Sequence, residues 1–156
     1  MIFYTKTKPL SGTNYSEIYP KALALYKQIA SRTKRRPYIR STYFKKEKIF
    51  LDYFWLHIRT KNPRDRARRL RQYPCALELI KLNRTEPESK KNPNKSSEIL
   101  HRFAGINGNK EEFFVQIKEN KKNGQKYFMS LSNKSFFLRL LLKVIHVHSK
   151  YEMYHT

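Results

Sequence analysis

From Phe113 onward apolar and polar residues alternate, and this period of two limits the possible folds more than any other feature of the chain. Phe113, Val115 and Ile117 would share one side of a strand, with Phe114, Gln116 and Lys118 on the other. Tyr127, Met129 and Leu131 alternate in the same way with Phe128, Ser130 and Ser132. Upstream, Leu100-His101-Arg102-Phe103-Ala104-Gly105 reads as a further strand. Asn107-Gly108 is a turn signal between the first and second strands, and Asn120 to Gln125, with Gly124, supplies a longer hairpin loop. Residues 98–132 are therefore expected to form an antiparallel sheet.

The first half has a different period. Leu23, Tyr26 and Ala30 recur at helical spacing in a helix expected over Tyr19 to Ile29, with Pro20 in its first turn. Ser31 to Arg40, broken by Pro37, reads as a cationic connector. Phe44, Leu51, Trp55 and Ile58 fall on one side of a helix expected over Phe44 to Ile58, widened by Phe50 and Phe54. Asn62 can cap a third helix, Pro63 suits its first position, and Asp65 favours the positive end of its dipole. After Pro74, Ala76, Leu77 and Ile80 favour a short helix. Arg84 to Ser97 is polar and proline-containing, as expected of a loop. The chain thus divides into a mainly helical basic half (1–82), a loop (83–97), strands (98–132) and an atypical extension (133–156). The expected fold is one α+β domain, with N-terminal helices packed on a C-terminal antiparallel sheet and an apolar helical segment at the end.

Charge narrows the function. The chain carries a net charge of +22 over 156 residues, and Lys27 to Gln72 alone holds 16 Lys/Arg against Glu47, Asp52 and Asp65. Such self-repulsion calls for a polyanionic partner, and RNA or another nucleic acid is the economical choice. Arg35, Arg36 and the helix arginines Arg64, Arg66, Arg68, Arg69 and Arg71 are candidate nucleic-acid contacts, with Gln116 on the sheet. The single cysteine, Cys75, rules out a disulfide framework and a multi-cysteine zinc site, and reads as a small core residue. Met1 to Leu10 lacks the apolar stretch of a secretory signal. Phe136 to Val147 is too short and too charged to span a bilayer. A cytoplasmic protein, with no membrane partner and no cofactor, is expected. His146 and His148 lack the further ligands that a metal site needs.

Metal-independent RNA cleavage needs a proton acceptor, a proton donor and groups that stabilise charge on phosphorus. His101 could exchange protons near neutral pH. Arg102 and Lys118 could offset charge, while Gln116, Ser130 and Ser132 could donate hydrogen bonds, with Glu98 as a partner or alternative base. Alternation sends His101 and Arg102 to opposite sides of a strand, and the residue pattern does not choose between them.

The ordered blocks RTKRRPYIRSTYFKKEKIFLDYFW, RDRARRLRQYPCALELI, EILHRFAG, FFVQIKE and KYFMSL, together covering roughly Tyr26 to Leu131, resemble phage and mobile-element proteins. Those proteins are assigned to the barnase–EndoU–colicin–RelE nuclease superfamily. The resemblance implies an antiparallel sheet on N-terminal helices and metal-independent endoribonuclease activity, often on tRNA or other structured RNA. It implies catalytic roles for His101 and Arg102 in LHRFAG, Lys118 in FVQIKE and Ser130 in YFMSL. A toxin of this kind would be matched by a cognate antitoxin or immunity protein, although the sequence itself shows no such partner. After Ser130 the chain departs from the pattern, running through Phe136 to His148 into a Tyr/His-rich end. A non-catalytic basic nucleic-acid-binding protein is the alternative reading. A membrane-surface or partner-binding role for Phe136 to Val147 ranks last.

Overall fold

The computed structural model describes residues 2–133. The segment expected as an apolar helix over 136–147, and the His146/His148 pair, lie outside them. Over the described residues the chain is α+β, with four helices and a curled mixed sheet. In chain order the elements are β1 (Phe3–Tyr4), α1 (Tyr15–Arg32), β2 (Tyr38–Ser41), β3 (Glu47–Phe50), α2 (Asp52–Ile58), α3 (Pro63–Arg71), α4 (Tyr73–Leu82), β4 (Glu88–Asn92), β5 (Lys95–Ile106), β6 (Glu112–Asn120) and β7 (Lys126–Ser132). The sheet runs β1-β5-β6-β7-β3-β2, with β4 beside β5. The strands β5, β6 and β7 form the expected antiparallel meander, and β4 adds an unexpected antiparallel strand beside β5. Short N-terminal strands extend it on both sides in parallel, β1 along β5 and β3 along β7.

Several elements depart from the sequence-based expectation. The connector and the first part of the expected Phe44–Ile58 helix instead form the β2–β3 hairpin, in register Tyr38↔Phe50. Its turn passes through Lys45 and Lys46, both at positive φ (54° and 66°), which a helix cannot contain. Ile49 is buried in the core, so only Asp52 to Ile58 remain helical. The stretch read as a loop contains β4, an edge strand whose Glu88, Lys90 and Lys91 hide it from a hydrophobic-pattern reading. The first helix begins at Tyr15 rather than Tyr19. Asn14 caps it by accepting from the Glu17 amide at 3.0 Å, and the Glu17 carboxylate accepts from Thr13 N at 3.2 Å. Pro20 therefore sits inside that helix, past the first turn. The expectation held for α3, where Asn62 Oδ1 accepts from Asp65 N at 2.8 Å.

The core lies between the helices and one side of the sheet. Phe54 of α2 stacks on Phe128 of β7 (centroids 4.5 Å apart) and on Tyr73 of α4 (5.4 Å). All three rings are fully buried or nearly so, and each contributes on the order of 1.5–3 kcal/mol by leaving water. Cys75 is also buried in the core, with its Sγ donating to Thr7 O at 3.3 Å. Gly105 allows the Phe113 ring to cross β5, since a Cβ there would lie 2.7 Å from Phe113 Cε1. A buried Asn107–Gln72 hydrogen bond of 2.8 Å ties the β5–β6 turn to the α3–α4 junction.

Candidate nucleic-acid interface

Strand register sorts the predicted residues. Arg102 on β5 pairs with Gln116 on β6, which pairs with Ser130 on β7, so these three form a row across the sheet. Lys118 lies in the adjacent row between Leu100 and Tyr127. All of them are on the side away from the helices. His101 pairs with Ile117, which pairs with Phe128, on the core side. The choice that the residue pattern left open is therefore made by the register: Arg102 joins the other candidates, and His101 does not.

A bulge modifies β7. The register shifts between Gln116 and Ile117, because Ile117 pairs with Phe128 while Gln116 pairs with Ser130, leaving Met129 unmatched. Strict alternation would place Leu131 opposite Phe128. The extra residue returns both to the core, where each is fully buried, and leaves Tyr127, Ser130 and Ser132 toward the other side.

On that side cations and rings interleave. The Lys118 ammonium is 3.8 Å from the Tyr53 ring centroid and 5.4 Å from that of Tyr127. It is also 3.5 Å from the Glu98 carboxylate, itself buried on β5. Arg36 pairs with Asp52 at 2.8 Å and lies 4.5 Å from the Phe50 centroid and 5.3 Å from Tyr127. Lys48 and Arg40 lie 4.7 and 5.6 Å from the Tyr38 ring. Arg102 lies 4.8 Å from the Phe114 ring. Helix α2 covers the β7 margin beyond β3, sending Phe54 into the core and Tyr53 and His57 the other way, with their rings 6.3 Å apart and nearly parallel. Burial first, then Lys61, Arg69 and Lys118, holds the His57 imidazole below its ordinary pKa. Burial and these cations therefore disfavour its charged form.

A scan against protein-family models finds no match, and searches of curated proteins and of solved structures find none either. The site thus stands on its own geometry.

Three of the five arginines of α3 donate to backbone carbonyls, while Arg64 and Arg68 are exposed. Arg66 donates to the carbonyls of Lys61 (2.6 Å) and Arg59 (2.9 Å). Arg69 pairs with Asp65 (3.1 Å) and donates to Leu131 O at 2.7 Å, closing the edge of β7. Arg71 donates to Leu10 O at 3.4 Å, and Arg68 pairs with Asp65 at 2.9 Å. Arg64, Arg68 and Arg71 line a cleft of about 860 Å³ against Asn14 and Tyr15 at the start of α1. Arg35 is exposed before β2.

His101 belongs to a separate polar chain at the rim of the core side. Its Nδ1 is 2.7 Å from Ser89 Oγ and its Nε2 3.6 Å from Glu119. Glu119 and Glu47 both pair with Lys126, at 2.9 and 2.5 Å. Burial lowers the His101 pKa, outweighing the Glu119 carboxylate beside it. Burial acts to raise Glu119, but the Lys126 ammonium and His101 outweigh it and hold that carboxyl below its ordinary range.

The sequence reading missed Tyr38, Phe50, Tyr53, His57 and Tyr127 as site residues. Tyr53 and His57 share a helix face by their spacing of four, which was the one signal available. The rings of the β2–β3 hairpin have none, because the residue pattern there fits a connector and a helix.

Proposed function

We propose that this chain is an RNA-binding protein of the metal-independent endoribonuclease type, engaging a backbone phosphate on the sheet side that carries Arg102, Gln116, Lys118 and Ser130. One observation carries the reading: two cations and two hydrogen-bonding side chains from three strands share that side, and the His57 ring lies against the Tyr53 ring that Lys118 contacts. In the proposed step the 2′-oxygen bonds to phosphorus as the bond to the 5′-oxygen breaks. His57 takes the 2′-hydroxyl proton, the departing 5′-oxygen takes one from solvent water, and a 2′,3′-cyclic phosphate and a 5′-hydroxyl result. Arg102 and Lys118 offset the charge gathering on phosphorus, and Gln116 and Ser130 donate to its oxygens. Helices on one side of an antiparallel β4–β7 meander support the barnase-like part of this proposal. A cytoplasmic location fits an RNA target, and the +22 charge would also suit an acidic antitoxin or immunity protein.

Binding without cleavage is the second reading. His101 on the opposite side of the sheet, and Lys118 already beside Glu98, favour it. Incubating end-labelled RNA with the protein in EDTA separates the two. Cutting should leave cyclic phosphates, should fall about a hundredfold or more in His57→Gln, and should fall also in Lys118→Ala and Arg102→Ala. His101→Gln should cut like wild type. RNA that is bound tightly and stays intact would move the assignment to binding alone.

A further inference from the structure

Beyond the Arg102–Gln116–Ser130 row, four aromatic rings run from α2 across β7, β3 and β2. Tyr53 and Tyr127 have centroids 6.4 Å apart, Tyr127 and Phe50 5.9 Å, and Phe50 and Tyr38 6.4 Å. Each ring has a cation within 6 Å of its centroid: Lys118 at Tyr53, Arg36 at Tyr127 and Phe50, Lys48 and Arg40 at Tyr38. The carboxylates among them are Asp52, bound to Arg36, and Glu98, beside Lys118.

This pattern has two consequences. Charge on the line is net positive, so it suits a polyanion. Spacings near 6 Å exceed the rise of about 3.4 Å between stacked bases of a duplex strand, so the rings match bases that are splayed apart rather than paired. A ring can stack on a base of any identity, while the exposed Lys48 beside Tyr38 can swing to a phosphate. We infer that the Tyr53–Tyr127–Phe50–Tyr38 line is a track for unpaired RNA, leading the strand from the Arg102–Gln116–Ser130 row onto the β2–β3 hairpin. This rests on the RNA-binding reading and adds the class of substrate: single-stranded, with little preference for sequence.

Fluorescence anisotropy tests it, using labelled oligouridylate and a fully paired RNA hairpin of equal length as probes. Oligouridylate should bind more tightly than the hairpin. Tyr38→Leu and Phe50→Leu keep apolar bulk but lose the π-face, so each should weaken oligouridylate binding on the order of tenfold while melting near wild type. Lys27→Gln, on α1 at the helical side, should change it little. Equal binding of the two probes, or leucine variants that bind like wild type, would overturn the track and leave RNA binding intact. Binding of neither probe would overturn the RNA reading itself.

Discussion

His101 and Arg102 are adjacent in sequence yet face opposite sides of β5, because successive strand side chains alternate. That alternation turns His101 into a rim residue tied to Ser89 and Glu119 and puts Arg102 beside Gln116. Sequence periodicity could state the opposition but not its outcome, since both parities of Leu100–Gly105 contain apolar residues. His57 and His101 carry a pH prediction at this scale. Both are held below the ordinary value of 6.5, by burial first. The unfolded chain therefore binds these protons more tightly than the folded one. Their contribution to stability is complete above about pH 6.5 and is lost as pH falls through that value toward the lower folded pKa. Glu119 and Asp65, both depressed in the fold, add further loss at more acid pH. Urea midpoints should fall from about pH 7 to about pH 5, and His101→Gln should flatten part of that slope. A slope identical to wild type would show that the ring is not desolvated.

At the scale of elements, α3 shows how a cationic helix can be structural. Arg69 leaves only 12% of its side chain exposed while bridging Asp65 and the β7 carbonyl of Leu131. Arg69→Met should cost about 1.5–3 kcal/mol in urea unfolding, as expected for hydrogen bonds to a charged group. Arg64→Gln, on the exposed face, should stay within about 0.5 kcal/mol. Equal costs for the two would contradict the division of the helix into anchoring and outward arginines. The caps of α3 were legible from Asn62, Pro63 and Asp65 because capping is local chemistry. The β2–β3 hairpin was not legible, because its apolar residues fit a helix as well as a strand. Pairing of β3 with β7 decides the matter through contacts distant in sequence. The β7 bulge was hidden for the same reason, since only the depth of Phe128 and Leu131 in the core demands it.

For the whole molecule, a net charge of +22 is a standing repulsion that local pairs such as Arg36–Asp52 and Lys126–Glu119 offset only in part. Added salt should therefore raise the thermal midpoint while weakening RNA affinity, since screening shortens the range of charge interactions to about 8–10 Å near physiological ionic strength. Calorimetry across a salt series measures the first effect. A midpoint independent of salt would mean that the repulsion is already balanced within the fold. No described helix is long and apolar enough to cross a membrane. The sequence by itself determined the α+β class, the β5–β6–β7 meander, the capped α3, the buried cysteine and the polycationic character. Each of these follows from near-neighbour periodicity, local capping or a sum over residues. Tertiary structure alone decided that Arg102 rather than His101 joins Gln116, Lys118 and Ser130, which arginines donate to carbonyls, and that Tyr38, Phe50, Tyr53 and Tyr127 form one line. Those outcomes depend on register and on which side the helices cover, and both are settled by contacts between residues far apart in the chain.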